Sequence, residues 1–435
     1  MKQKKTVKKT VVASEKNKKK TGAKKITSTQ KRSPDKTAEK KHIKPFPIVG
    51  IGGSAGGQEA FSTLLEHLPV NLGMAYVYIQ HLSPTYESFL PQILQRKTKM
   101  PVLAVKNNML LKKDHVYVMP SKYNVTVADG KLKLQTYLKG DSLHSIDHFL
   151  NSLAPLYQQN AIGIILSGTG TDGTLGLMSI KAGGGVTFAQ DNTAHYLDMP
   201  HHAADMGYVD FVMPPDRIAK ELASLVKHPY AVTAQNDFLP DKKNELRKIH
   251  MLMNSKRGVD FSHYKQTTIH RRIMRRMAVN KINDLEAYAQ LLKDNKTEVD
   301  ALYHDMLITV TNFFRDPQLY QALTNKILPA ILKGRKSNDP VRIWIPGCAT
   351  GEETVSFAIV LLEYLGEKAL STPIQIFATD LNEKAIERAR AGVYMKTALQ
   401  NVSPQRLHRF FIKANDQKTS SHTMETVSQT MEIVG

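Results

Sequence analysis

The sequence predicts an α/β protein: a doubly wound, mostly parallel sheet, then a small helical domain and a second, partial βαβ sheet. Three observations carry this. Short apolar runs alternate with amphipathic helical patterns from residue 46 to about 230. Helical pattern alone fills 245–335, and a strand, glycine turn, helix and strand return in 336–435. At 435 residues the chain exceeds one ordinary core, so division is expected. The boundaries read as an arm over 1–44, a first domain over 45–230, a linker over 231–244, and the two later domains.

Residues 1–44 hold 17 Lys or Arg against three acids, +14 of the formal net charge of +21. Such a stretch buries too little apolar surface to fold. It reads as a disordered arm, either a solvated leader or a docking arm for an acidic partner. The remaining +7 is spread over a long body, which speaks against a nucleic-acid binder. No apolar h-region follows the lysines, and no run reaches the ~18 apolar residues of a membrane span. Cys348 is the only cysteine, so no internal disulfide is possible and a cytoplasmic location is expected. No metal site is expected.

In the first domain, strands are expected at 46–52, 74–80, 101–105, 115–119, 161–166, 185–189 and 208–212, with helices at 57–68, 86–97, 145–158, 172–182 and 215–227. Asp129-Gly130 marks a hairpin that inserts an antiparallel pair. The opening stretch, Phe46 to Gly57, is strand, tight turn and helix with Ser54 at the apex. Gly52-Gly53-Ser54-Ala55-Gly56 fits the G-x-S-x-G nucleophile elbow, while Gly50 to Ala55 also fits a dinucleotide fingerprint. A dinucleotide fold wants an acid after the next strand. This chain has Gln80-His81 there, and an imidazole can serve a serine as base.

In such a sheet ligands gather at the carboxyl ends of strands. Three strand ends deliver Ser54, His81 and, within Ser167 to Gly173, Asp172: the inventory of nucleophilic acyl chemistry. Each also has a structural reading, as turn residue, cap or loop filler. His144, His148, His195, His201 and His202 are rival bases, and Asp147 is a rival carboxylate.

Gly52 to Gly57, Gln80-His81-Leu82 and Gly168 to Gly173 together resemble the three signature blocks of the CheB-type chemoreceptor methylesterase, over roughly 46–228. The resemblance implies Ser54 as nucleophile, His81 as general base and then acid, Asp172 as the carboxylate orienting His81, and no cofactor. The implied substrate is a glutamate methyl ester on the cytoplasmic helices of a methyl-accepting chemoreceptor. The family usually carries a receiver domain ahead of the esterase, where this chain has its lysine arm.

Within the helical domain, Arg271/Arg275 and Arg272/Arg276 stack at i, i+4 beside Ile269, Ile273 and Met277. That is either a solvated face or a surface for an acidic helix or nucleic acid; the lack of interleaved aromatics speaks against single-stranded nucleic acid. Farther on, Val341 to Ile345 leads into Pro346 to Glu353, and Ile374 to Ala378 ends at Asp380. Asp380 can accept from ribose hydroxyls, whereas Glu352-Glu353 at a helix start would repel a pyrophosphate. A cofactor without phosphates, S-adenosylmethionine, is favoured.

With Thr311 to Asp316 upstream, these residues resemble the CheR-type chemoreceptor glutamate methyltransferase, from about 259 to 411. The resemblance implies Thr309, Thr311, Arg315, Glu353 and Asp380 as cofactor-binding positions in a partial Rossmann-like domain, and the arginine-rich helix as the receptor-docking element. Residues 413–430 are polar, so the sheet is expected to stop at two strands with uncovered apolar edges. The expectation is an esterase fused to a methyltransferase cut short and inactive alone. The alternative is a non-catalytic receptor-docking scaffold with vestigial sites.

Overall fold

The computed structural model describes residues 46–80, 89–136, 144–228, 243–308, 310–335, 339–414 and 424–427; the lysine-rich arm lies outside them. The first region runs β1 (Ile48–Gly53), α1 (Gly57–His67), β2 (Ala75–Gln80), α2 (Leu90–Gln95), β3 (Val102–Ala104), β4 (Met109–Leu110) and β5 (His115–Val118). It continues with β6 (Tyr123–Ala128), β7 (Lys131–Thr136), α3 (Ser145–Tyr157), β8 (Ala161–Ile165), α4 (Thr174–Gly183), β9 (Val186–Gln190), α5 (Asp198–Asp205), β10 (Phe211–Met213) and α6 (Pro215–Lys227).

Seven of these strands form one parallel sheet in the order β10-β9-β8-β1-β2-β5-β3. Parallel neighbours need crossovers, so helices cover both faces and the central strands are apolar throughout. The chain first builds outward from β1 through β2, then returns to add β8, β9 and β10 on the other side. The β1/β8 boundary is therefore the topological switch point, where a crevice opens at the carboxyl edge. Helix α3 lies directly on β1: a methyl group at Gly50 would come within 2.5 Å of the Leu150 side chain.

One expectation is borne out and another corrected. The Asp129-Gly130 turn exists, with φ of 50° and 70° as a tight hairpin requires. Its strands β6 and β7 join β4 in a separate antiparallel sheet, because Val125, Val127 and Leu132 bury against Phe149 and Leu153 of α3. Residues 198–205, where no helix is expected, form α5; Pro200 in its first turn hides the helix from a pattern reading.

The helical region comprises α7 (Lys243–Arg257), α8 (Gln266–Val279), α9 (Leu285–Asp294), α10 (Lys296–Met306), α11 (Pro317–Ala322) and α12 (Leu328–Leu332), the last two joined by a π-helical turn. The Asp284 and Asn295 side chains cap α9 and α10 by accepting from backbone N–H groups one turn in. One apolar cluster runs from the main sheet into these helices, joining Phe61, Phe188 and Leu222 with Phe261, Ile273, Tyr288 and Leu302.

The last region contains β11 (Val341–Pro346), α13 (Glu352–Leu365), β12 (Ile374–Thr379), α14 (Glu383–Ala391), β13 (Val393–Met395), α15 (Pro404–Phe410), β14 (Phe411–Ala414) and β15 (Met424–Val427). Its β11 and β12 pair in parallel as a two-stranded sheet, and Trp344 and Phe377 stay 69% and 43% exposed. Among the described residues the parallel sheet stops at two strands, as expected; within the polar run after 413, β14 and β15 pair, and β13 completes a separate three-stranded antiparallel sheet. Backbone pairing, which side-chain polarity does not reveal, makes these strands. The region keeps its own core, around Phe313, Tyr320, Ile359, Tyr394 and Phe411.

Candidate active site and cofactor region

Ser54 follows β1 and lies half-buried in a turn stitched to the end of β8. Its backbone N–H donates to the Ser167 carbonyl at 3.0 Å, and the Gly57 N–H returns to the Ser54 carbonyl at 2.9 Å. The Ser167 hydroxyl donates to the Ala55 carbonyl at 2.8 Å, while Gln190 at the end of β9 accepts from the Ser167 N–H at 2.9 Å. Small residues are required on every side. A methyl at Gly53 would press on the Tyr78 hydroxyl at 3.0 Å, and one at Gly168 would touch the Ser54 Cβ at 3.0 Å. Gly56 has φ of 73° and would meet the Ser167 hydroxyl at 2.6 Å. Among the described residues no acceptor takes the Ala55 or Gly56 N–H, so two donors at the start of α1 remain beside the Ser54 side chain.

Asp172 lies in the loop after β8, the strand next to β1, and is buried. Its carboxylate accepts from the N–H groups of Ile146, Asp147 and Gly173, each at 2.9 Å, at the start of α3 and of α4. The rival Asp147 is deeper and is used to hold α4, accepting from the Gly176 N–H at 2.7 Å. Burial, and then the charge of Asp172, push the Asp147 carboxyl well above its usual range. Asp172 is thus the better placed of the two for the strand edge.

The registry pairs Gly53, the residue before Ser54, with Gln80, the last residue of β2; His81 lies outside the described residues. The structure places Ser54 and Asp172 after the adjacent strands β1 and β8, at one edge of the sheet. Of the rival bases, His202 pairs with Thr174, His201 with Asn192 and His148 with Gln135, at 2.9, 2.9 and 3.0 Å. His195 stands 3.6 Å from Glu59 at the surface. The braces Ser167 and Gln190 were not singled out from sequence, although Ser167 adjoins the Gly168 block.

In the last region, Gly347, Ala349 and Gly351 all have positive φ (71°, 49° and 94°), which bends the chain sharply between β11 and α13. Asp380, just after β12, accepts from the N–H groups of Ala349 at 2.9 Å and Asn382 at 2.8 Å. A carboxylate has about four acceptor sites, so roughly half remain for hydroxyls. Burial pushes the Glu352 carboxyl up, and Thr350 donates to it at 2.6 Å. Burial also pushes the Cys348 thiol up to about 11, which makes it an inert thiol. The Thr311 to Asp316 segment is fastened to α13 where the Phe314 N–H meets the Ser356 hydroxyl at 3.1 Å. Arg315 is exposed, its guanidinium donating to the Val310 carbonyl at 2.8 Å. Thr309 lies outside the described residues.

Three family models match in succession. They are CheB methylesterase over 49–222, the all-alpha domain of CheR methyltransferase over 244–307 and its SAM binding domain over 309–431. The chain carries a CheB-type methylesterase domain followed by both CheR-type methyltransferase domains.

Among similar proteins, an uncharacterized 104.1 kDa protein of Rhodobacter capsulatus is 32% identical over 76% of this chain and 37% of its own length. The protein-glutamate methylesterase FrzG of Myxococcus xanthus is 33% identical over 46% of this chain and 61% of its own. A protein-glutamate methylesterase/protein-glutamine glutaminase of Trichodesmium erythraeum is 31% identical over 40% and 51%. The chain thus spans between about a third and three fifths of the length of these relatives. The Thermotoga maritima CheB methylesterase catalytic domain is 29% identical, aligned over 42% of this chain and 99% of that one with a TM-score of 0.40.

The CheB-type domain contains the Ser54 turn and Asp172, and the CheR-type SAM-binding domain contains Arg315, Glu353 and Asp380. The donor set of the latter fits S-adenosylmethionine: acids line the turn, and an open left-handed Gly347 lets a nucleoside approach the backbone. The helix that carries the arginines, α8, belongs to the all-alpha domain. Of the two readings left open for its arginines, the solvated face does not hold for Arg272 and Arg275, which are buried against this chain's own CheB-type domain.

Proposed function

We propose that the chain is an adaptation enzyme of chemotaxis-type signalling that hydrolyses glutamate γ-methyl esters on the cytoplasmic helices of methyl-accepting chemoreceptors. The observation that carries this reading is the Ser54 turn at the sheet's switch point, bound to the β8 loop that ends in buried Asp172. Ser54 Oγ attacks the ester carbonyl as His81 takes its proton. The oxyanion is held by the Ala55 and Gly56 N–H groups, and losing one such donor costs about 3 kcal/mol of barrier. Methanol departs with the proton from His81. Water, deprotonated by His81, then opens the acyl-serine to glutamate and restores Ser54. Asp172 orients the imidazole. Glutamine side-chain amides, which the names of several relatives include, suit the same nucleophile.

In the CheR-type half, Asp380, Glu353, Arg315, Thr311 and Thr309 are proposed to hold S-adenosylmethionine. That cofactor supplies a methyl group on a sulfonium, and the protein's task is to align a glutamate carboxylate with it. Asp380 takes the ribose hydroxyls while its backbone bonds fix both strand-end turns.

Methanol release from a methylated receptor fragment tests the esterase. The wild type is expected to release methanol and Ser54→Ala to lose at least three orders of magnitude. Equal release by both would leave the non-catalytic scaffold as the surviving reading.

A further inference from the structure

Helix α8 carries four arginines, and each has a partner. Arg271 meets the Gln158 side chain, and Arg272 donates to the Lys181 and Ala182 carbonyls at the end of α4. Arg275 donates to the Gly185 carbonyl at 2.8 Å and pairs with Asp210 of the CheB-type domain and Asp305 of α10. Arg276 pairs with Glu298, which also accepts from Tyr288 at 2.7 Å. Lys181 closes the cluster, 3.3 Å from Asp210, 3.7 Å from Asp305 and 3.1 Å from the Gly207 carbonyl. Apolar burial continues beneath it, and at the far end His228 meets the Ile282 carbonyl while Lys281 meets Glu221.

We propose that the arginine face of α8 is an internal docking surface whose partner is this chain's own CheB-type domain. Two features of that domain fit it: the acidic residue Asp210 and the row of carbonyls at the C-terminus of α4. The latter is the negative end of a helix, where guanidinium groups bind well. A solvated basic face would exchange partners freely. Here Arg272 is 3% exposed and Arg275 wholly buried, so each is desolvated and matched, and removing its partner would strand a buried charge. It follows that the all-alpha domain is a fixed part of the esterase body. An acidic partner helix can reach Arg272 and Arg275 only if this joint opens.

Arginine footprinting with phenylglyoxal on the full chain, read by mass spectrometry, tests the joint without using either activity. Arg342 is exposed and serves as the internal reference. In the wild type Arg272 should react at least tenfold more slowly than Arg342, with or without added poly-L-glutamate. Arg275→Met should raise the Arg272 rate about tenfold, and poly-L-glutamate should then restore protection. Arg272 reacting as fast as Arg342 in the folded wild type would overturn the proposal, as would an unchanged Arg272 rate in folded Arg275→Met.

If that variant does not fold, Gly184→Cys with Arg271→Cys decides. A Cβ at Gly184, whose φ of 94° strains any side chain there, would lie 3.5 Å from the Arg271 Cβ, within disulfide reach, and the native Cys348 is buried. Mild oxidation should close this bridge. Both thiols staying open to a maleimide in the folded chain would contradict the joint.

Discussion

β1 and β11 each run into a glycine turn and a helix, yet the two units sit in opposite surroundings. Every residue of β1 is buried between neighbours β2 and β8, whereas β11 has one strand partner among the described residues and alternates between buried and exposed positions. Neither helix start has a side-chain cap, but the turn before the first carries the Ser54 hydroxyl, whereas the first turn of the second carries Glu352 and Glu353. The shared backbone plan sets where chemistry can occur. The side chain at the apex, and the depth of the sheet around it, set which chemistry follows.

The junctions differ in the same way. The all-alpha domain shares an apolar core with the CheB-type sheet. The SAM-binding domain has its own core and meets the rest through polar contacts such as Arg388 to the Tyr208 hydroxyl at 2.7 Å.

If β1 and its neighbours carry the catalysis, Asp172→Asn should lower kcat for methanol release by about 10⁴-fold, through a misoriented imidazole. A loss under tenfold would move the orienting role elsewhere. The packing contrast is sharpened by a pair of truncations. Phe61→Ala removes a wholly buried ring stacked 4.3 Å from Tyr78 and should destabilise the chain by about 3–5 kcal/mol in urea unfolding. Trp344→Ala, on the exposed face of β11, should cost about 1 kcal/mol or less. Equal costs would break the comparison.

Next in size is Asp380→Asn, which should weaken S-adenosylmethionine binding about 10- to 100-fold in isothermal titration, the worth of hydrogen bonds to a charged acceptor. The last effect concerns pH. Burial pushes the Asp210 carboxyl up, but Arg275 and Lys181 beside it more than offset this and hold it below its usual range. Its contribution is therefore complete above about pH 4 and is lost as pH falls through the depressed folded value. Arg272 should stay protected from hydrogen exchange at pH 5 and open only well below pH 4.

The parallel sheet and the Ser54 turn were legible because both rest on local signals: apolar runs, and glycines where the backbone must turn or pass close. Asp172 was legible from its place after a strand, and Asp380 likewise. The burial of α8 was not. Arginines at i, i+4 look the same whether water or carboxylates face them, and Asp305 and Asp210 lie 30 and 65 residues from Arg275 along the chain. The β13-β15-β14 sheet escaped because its short strands lie among polar residues and exist through backbone pairing, which side-chain pattern does not reveal.

The central claim is that Ser54, His81 and Asp172 act as one unit at the carboxyl edge of the main sheet. Methanol release by Ser54→Ala, His81→Gln and the double variant tests it most directly. The double variant should be no slower than Ser54→Ala alone, because residues that act as a unit lose their effect together. Losses that multiply, or a Ser54→Ala protein as fast as the wild type, would contradict it.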